Sequence, residues 1–347
     1  MTKTVKIADK RIGGGNPVLV QSMTNVPTQD TKAAIAQVNA LKAAGCDIVR
    51  LAVPDEAAAI AMEEILNHTS VPLVADIHFD YRLALMCIER GVHKIRINPG
   101  NLGGEDRARA VAEAAKAKGV PIRIGVNGGS LEKGLLEQCG GSLAKAMVES
   151  AKGHVEILNR CGFEDIVLSM KSSSVKTTMD AYRLAHETFD YPLHLGVTEA
   201  GTYQSGVVKS AIGIGGLLAD GIGDTIRVSL TDDPLKEAEV ARRILRALDL
   251  EPNHIEVVSC PTCGRTKIDL ISIANAVTEA VENIPARLKV AVMGCVVNGP
   301  GEAKDADVGI AGGDGCAVLF KKGEIVRKLP ENEILPALLD EIKRMTE

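Results

Sequence analysis

Residues 43–53, AAGCDIVRLAV, carry the pattern on which the fold is read. Gly45 can take the left-handed turn that stops a helix. The Val/Ile-rich run after it reads as a buried strand, interrupted by the basic residue Arg50. The same phrase returns as TSVPLVADIH (69–78), RGVHKIRINPG (90–100), KGVPIRIGVN (118–127), CGFEDIVLSMK (161–171) and DGIGDTIRVSL (220–230). PVLVQSM (17–23) and YPLHLGVTEAG (191–201) complete the set. The reading gives eight strands, near 18–24, 47–53, 72–78, 93–98, 121–127, 165–171, 192–199 and 224–230.

Helical segments with end signals lie between them. In TQDTKAAIAQVNALKAAG (28–45), Asp30 or Thr31 can cap the start and Gly45 the end. PDEAAAIAMEEILNHT (54–69) and TDDPLKEAEVARRILRALDL (231–250) read the same way. Apolar strands alternating with helices mean a parallel sheet buried on both faces, and eight such units in roughly 250 residues are the measure of a (β/α)₈ barrel. An open sheet with a dinucleotide fingerprint is the rival. In AIGIGGLLADG (211–221), however, Leu218 stands where a third glycine is needed, so this stretch reads as a glycine-rich helix on the barrel.

A barrel builds its site where the strands end. Those endings are Arg50, His78, Arg96 with Asn98, Arg123 with Asn127, Lys171, His194 with Glu199, and Arg227 with Ser229. A lone arginine at such a place is often solvated or paired. Five permanent cations at one mouth repel one another unless an anion neutralises them, which points to a small polyanion such as a diphosphate. Glu199, an acid among cations, is either an ion-pair partner or a proton donor.

The 347 residues exceed one ordinary core, so a second, smaller domain is expected, with a boundary near 250 and the two parts running 1–250 and 251–347. A net charge of −5 argues against general nucleic-acid or membrane binding. Tryptophan is absent, with only four Phe and four Tyr, so aromatic platforms are not expected. No apolar run approaches the roughly 20 residues that span a bilayer, and the start lacks a signal-peptide pattern, so a cytoplasmic protein is expected. Eight cysteines in a reducing compartment then favour buried thiols and metal ligands over disulfides. Cys46, Cys87, Cys139 and Cys161 read as buried small apolar residues.

Past residue 253 the repeat stops. IEVVS, the turn CPTCGRT, a helix over IDLISIANAVTEAVENI, LKVAVMG, two short strands and a closing helix from Pro330 make a small α/β unit. Cys260, Cys263 and Cys295 fall at strand ends, where one site can gather them. Cys316 or Glu302 can complete the set. Zinc, a redox disulfide and an iron–sulfur cluster are the alternatives, and the missing paired spacing of zinc ribbons favours the cluster.

The chain resembles the 4-hydroxy-3-methylbut-2-enyl diphosphate synthases of the non-mevalonate isoprenoid pathway, in their two-domain bacterial form. The matching stretches are VQSMTN (20–25), DIVRLAVP (47–54), ADIHFDYRLA (75–84), KIRINPGN (94–101), IRIGVN (122–127), SMKSS (169–173), LHLGVTEAG (193–201), AIGIGGLLADGIGDTIRVSLT (211–231), SCPTCGRT (259–266) and MGCVVNGPGEAKDADVGIAGG (293–313). The resemblance implies a TIM barrel followed by a reductase-like domain with a [4Fe–4S] cluster on Cys260, Cys263, Cys295 and Glu302. Cys316 then falls to the small core. It also implies reductive opening of 2-C-methyl-D-erythritol 2,4-cyclodiphosphate, with loss of a hydroxyl as water and electrons from flavodoxin or ferredoxin. Arg50, Arg96, Asn98, Arg123, Asn127, Lys171, Arg227 and Ser229 are the expected substrate-binding residues, with His78 and His194 orienting phosphate or hydroxyl groups. Glu199 and Glu302 are the expected catalytic acids. A homodimer in which each cluster domain caps the partner's barrel is implied as well. The rival expectation is a barrel transferase for a pterin or phosphorylated substrate, carrying a structural zinc module.

Overall fold

The computed structural model describes residues 1–129, 131–295 and 303–347. It divides into two compact units, Met1–Leu250 and Glu251–Glu347.

The first unit opens with an antiparallel hairpin, β1 (Val5–Ile7) and β2 (Lys10–Ile12). Eight parallel strands follow: β3 (Leu19–Met23), β4 (Ile48–Ala52), β5 (Leu73–Asp76), β6 (Lys94–Ile97), β7 (Ile122–Asn127), β8 (Ile166–Lys171), β9 (His194–Leu195) and β10 (Thr225–Ile226). Their lateral order is β8-β7-β6-β5-β4-β3-β10-β9. A parallel bridge between Leu168 and Leu193 joins the two ends, and the Leu168 N–H donates to the Pro192 carbonyl at 2.8 Å. The ring is nearly closed, so the sequence's barrel is the observed fold.

Side chains alternate across each strand. Val49, Leu51, Leu73, Ala75, Ile95, Ile97, Ile122 and Ile124 belong to the core shared with the surrounding helices. In the helix Thr31–Ala43, Asp30 accepts from the Ala33 N–H at 3.1 Å, and Ala34, Val38 and Leu41 are buried. Gly45 has φ +95° just beyond it. Ile48, Val74 and Val167 instead pack with Val5, Ile7 and Ile12 of the hairpin. The hairpin therefore packs on the inner ends of the strands and leaves the C-terminal end to the site. Strands of three residues are too short for periodicity to reveal.

Two strands are shorter than their sequence pattern. β9 and β10 pair over two residues each, not over 192–199 and 224–230. Beyond Leu195 the chain leaves the ladder: the Thr198 N–H bonds the Ser172 carbonyl at 3.2 Å, and Glu199 takes a left-handed backbone. The glycine-rich stretch is helical, with a π-turn over Ala211–Gly215 leading into Gly216–Ala219. A Cβ on Gly213 would meet Val197 Cγ2 at 2.7 Å, so glycine permits the close packing.

The second unit is a five-stranded sheet in the order β11-β12-β13-β14-β15: β11 (Ile255–Ser259), β12 (Leu288–Met293), β13 (Val308–Gly313), β14 (Cys316–Lys321) and β15 (Glu324–Pro330). The first three are parallel and the last three antiparallel. Helices Leu270–Val281 and Ile334–Thr346 share its apolar core. Three strands replace the two expected before the closing helix. β13 was hidden because VGIAGG looks like a loop; its glycines are needed because a Cβ on Gly309 would lie 2.7 Å from the Ala291 carbonyl oxygen. Cys316 does not sit in the core: it opens β14 half-buried. Cys46 and Cys87 are buried as expected, whereas Cys139 and Cys161 are only half-buried because both follow directly on helix ends. Among the described residues no helix is long and apolar enough to cross a membrane.

Candidate active site

The inward positions of the barrel strands carry charge where most barrels carry Val and Leu. Arg96 on β6 and Arg123 on β7 are in register, as are Asp76 on β5 and Arg96. Arg123 is 1% exposed, Arg96 and Lys171 are 7%, and Lys94 is 0%. The structure thus brings Arg50, Arg96, Arg123, Lys171 and Arg227 together around Asp76, Glu237 and one another. Lys94, one inward step below Arg96, is a sixth basic residue of the set.

The cations are partly neutralised by the protein itself, which corrects the expectation that a ligand alone can balance them. Asp76 lies 3.3 Å from Arg96 Nη1, 3.4 Å from His78 Nε2 and 3.8 Å from Arg50 Nε. Burial opposes its ionisation, yet Arg50, the His78 hydrogen bond and Arg96 together hold its carboxyl well below the usual range. Glu237, on the helix Pro234–Arg246, pairs with Arg227 at 3.4 Å and accepts from Ser22 Oγ at 2.7 Å and the Leu230 N–H at 3.0 Å. Glu237 stands on a helix, and Asp76, the last residue of β5, lies two short of the ending expected at His78, so reading only the expected endings missed both. The signal was present for Asp76 and Lys94, because Asp76–His78 and Lys94–Arg96–Asn98 are period-two sets on one face.

Arg123 and Lys171 have no such partner. Among the described residues Arg123 reaches only the Gln21 side-chain oxygen, at 3.4 Å, and its Nε has no acceptor. Lys171 Nζ sits 3.3 Å from His194 Nε2, while His194 Nδ1 lies 2.7 Å from Thr225 Oγ1. A charged Lys171 donates to Nε2 and so sets the ring proton on Nδ1, but burial, then Arg123 and Arg227, push Lys171 well below the usual lysine range. Burial, then Arg123, Lys171 and other nearby cations, keep His194 neutral far below its usual range. His194 is fully buried, with its two ring nitrogens engaged by Lys171 and Thr225.

The remaining residues lie around this set. His78 is exposed, with its ring 3.5 Å from Arg96 Nη1. Asn98 is buried and accepts from the Gly100 N–H at 3.1 Å; Asn127 is in register with Lys171. Ser229 is half-buried and Glu199 exposed. Glu199 has φ +52°, a conformation that costs a non-glycine residue energy and collects at working sites.

Glycines make room for the long cations. A Cβ on Gly125 would collide with the Arg96 guanidinium. On Gly196 it would stand 2.5 Å from Lys171 Nζ and 2.7 Å from the Arg227 carbonyl oxygen, and backbone cannot yield as a side chain can. Gly196→Ala is therefore expected to cost about 1–3 kcal/mol of stability and to displace Lys171. Denaturant titration beside a KM measurement will show both effects.

In the second unit, Cys260 follows β11 directly and Cys295 follows β12 after Gly294, at the same edge of two paired parallel strands. The Gly294 N–H donates to Cys260 Sγ at 3.2 Å. Cys263 lies in the turn, exposed, and hydrogen bonds from the Arg265 backbone and side chain pull its thiol below the usual range. Among the described residues no three His, Cys, Asp or Glu side chains stand as a ready metal-ligand group. Glu302 lies outside the described residues.

Comparison with known proteins gives both units relatives. Residues 2–242 match the family model described as the GcpE TIM-barrel domain, and 256–344 match the GcpE protein C-terminal domain. The chain is 59% identical over 345 residues to a 4-hydroxy-3-methylbut-2-en-1-yl diphosphate synthase (flavodoxin) of Caldanaerobacter subterraneus, covering 99% of this chain and 97% of that one. It is 58% identical to the protein of the same description from Ruminiclostridium cellulolyticum, over 99% and 98% of the two chains. Among solved structures, the dihydropteroate synthase of Stenotrophomonas maltophilia aligns with a TM-score of 0.52 at 15% identity, covering 72% of this chain and 98% of that one. That likeness is one of fold alone.

Proposed function

The chain belongs to the GcpE family, and from that premise we propose that it makes 4-hydroxy-3-methylbut-2-enyl diphosphate by reductive opening of 2-C-methyl-D-erythritol 2,4-cyclodiphosphate. The observation that carries this reading is the barrel's inward face, where Arg50, Arg96, Arg123, Lys171 and Arg227 outnumber the carboxylates of Asp76 and Glu237. Such an excess suits a ligand that keeps its negative charge at every working pH, and both phosphates of a cyclic diphosphate do. Arginine forks at 50, 96, 123 and 227 suit phosphate oxygens, with Lys171 as a point charge. Asn98, Asn127 and Ser229 offer neutral hydrogen bonds to hydroxyls, and His78 reaches toward the same ligand from the exposed rim.

The thiols of Cys260, Cys263 and Cys295 fit an iron–sulfur centre in donor type. Cys260 and Cys295 follow the ends of two paired parallel strands, Cys260 accepts a backbone N–H, and Cys263 in the adjoining turn is biased toward thiolate. Glu302 completes the proposed set as an oxygen ligand. When bound, a [4Fe–4S] cluster supplies electrons one at a time, drawn from flavodoxin, the donor printed in the relatives' names, or from ferredoxin. The chain's own part is to fix the diphosphate on its cations and to deliver the proton that lets the departing oxygen leave as water. Glu199 is assigned that proton, since it is exposed, follows β9 by four residues and holds a strained backbone. Two copies are proposed to assemble, each cluster unit serving the partner's barrel; a fully active monomer would overturn that arrangement.

A pterin transferase with a zinc module has little support, since the dihydropteroate synthases share only the barrel, at 15% identity. Anaerobic purification decides the matter. A brown protein with about four iron atoms per chain that converts the cyclodiphosphate with dithionite and a carrier is expected. A colourless zinc protein, or untouched substrate, would end the reading.

A further inference from the structure

Lys94 is the basic residue of the barrel that the binding scheme leaves unused. It is 0% exposed, and among the described residues its Nζ has no hydrogen-bond acceptor. Its position on β6 is one inward step below Arg96, with Val74 of β5 directly alongside. Charged and titratable groups face this region from every neighbouring side: Arg50 from β4, Asp76 from β5, Arg96 from its own strand, Arg123 from β7, Lys171 from β8 and His194 from β9. The one carboxylate among them, Asp76, is already paired with Arg50 and Arg96. Gln21 also turns an unpartnered amide nitrogen inward. The floor of the site therefore offers donors and no free acceptor.

We propose that Lys94 is a sixth group of the diphosphate site, a charge held in reserve beneath the other five that brings a proton into the barrel as the anion seats. The inference rests on the proposed function. A sealed ammonium with no acceptor and cations on several sides is costly, so the empty barrel favours the neutral amine. Burial, followed by Arg123 and Arg50, pushes its pKa well below the usual lysine range. A diphosphate above it reverses the local field, and the amine regains its proton. Lys171 is sealed in the same way but differs in one respect, since it already has an acceptor in His194.

The test uses the full-length, cluster-loaded protein without reductant, so that the cyclodiphosphate binds and does not turn over. Each phosphate of that ligand has a single strongly acidic proton, already lost near neutral pH, so a proton taken up from the buffer on binding goes to the protein. Calorimetry in buffers of different ionisation enthalpy counts them. Wild type is expected to take up a proton on binding, with affinity falling as pH rises from 7 to 9. Lys94→Met is expected to lose most of that uptake, flatten the pH profile and bind about tenfold more weakly at pH 7, while melting at a higher temperature when empty. Lys94→Gln, which keeps a neutral donor, covers the case in which Met perturbs the fold. Unchanged uptake and affinity in both variants would overturn the role and pass it to Lys171. A wild type that fails to bind the cyclodiphosphate would sink the functional reading itself, an outcome distinct from the first.

Discussion

Asp76→Asn is expected to lower the unfolding free energy of the barrel by about 3–5 kcal/mol, the usual cost of removing one partner from a buried ion pair. Asp76 is 5% exposed and touches Arg50, Arg96 and His78, so three groups lose their shared acceptor at once. The amide keeps the shape and one hydrogen bond but leaves Arg50 and Arg96 facing Arg123 and Arg227 without a counter-charge. The pH dependence has a definite sign. Because the folded carboxyl is held below its ordinary value, its contribution is fully present above about pH 4 and is lost as pH falls further. Wild type should therefore lose stability on acidification below pH 4 more steeply than the variant. Urea titrations of the empty protein at neutral and acid pH measure both. A variant as stable as wild type at pH 7 would mean that solvent, not Asp76, balances the arginines.

The same carboxylate shows where sequence reading succeeds and where it stops. The eight strands were legible because parallel strands buried on both faces form apolar runs too regular to miss, most of them preceded by a glycine or similar breaker. The mouth was legible because Arg50, Arg96, Arg123, Lys171 and Arg227 break those runs at matching depths. Asp76 was passed over although it shares a period-two face with His78, whereas Glu237 left no local mark, because it serves Ser22 from 215 positions away. The hairpin at the inner end of the barrel was missed for the opposite reason, its strands being shorter than any period can register. Glu199 was read as a strand ending, but its distinctive property is a left-handed backbone, which tertiary contacts impose and local sequence does not announce.

These observations share a consequence: the empty barrel is strained by its own charges, and relieving the strain should cost binding. Arg123 is the sharpest case. It is fully buried and, among the described residues, holds one side-chain oxygen at 3.4 Å, has no carboxylate partner and carries an Nε without an acceptor. Burial, then Arg50 and Arg96, bias it against its own charge. Arg123→Met removes that cost while keeping the volume roughly filled, so the empty variant should melt at a higher temperature than wild type. Affinity for the cyclodiphosphate should move the other way, weakening about 10- to 150-fold, the worth of one charge-assisted hydrogen bond of 1.5–3 kcal/mol. Iron content should stay the same, because the thiols belong to the other unit. Differential scanning calorimetry, a binding isotherm and an iron assay on one preparation give all three readings. Opposite signs for stability and affinity are what a site built for an anion requires, since the charges that hurt the empty protein are those the ligand repays. If the variant lost stability and affinity together, Arg123 would be part of the scaffold and the anion would have to be held elsewhere.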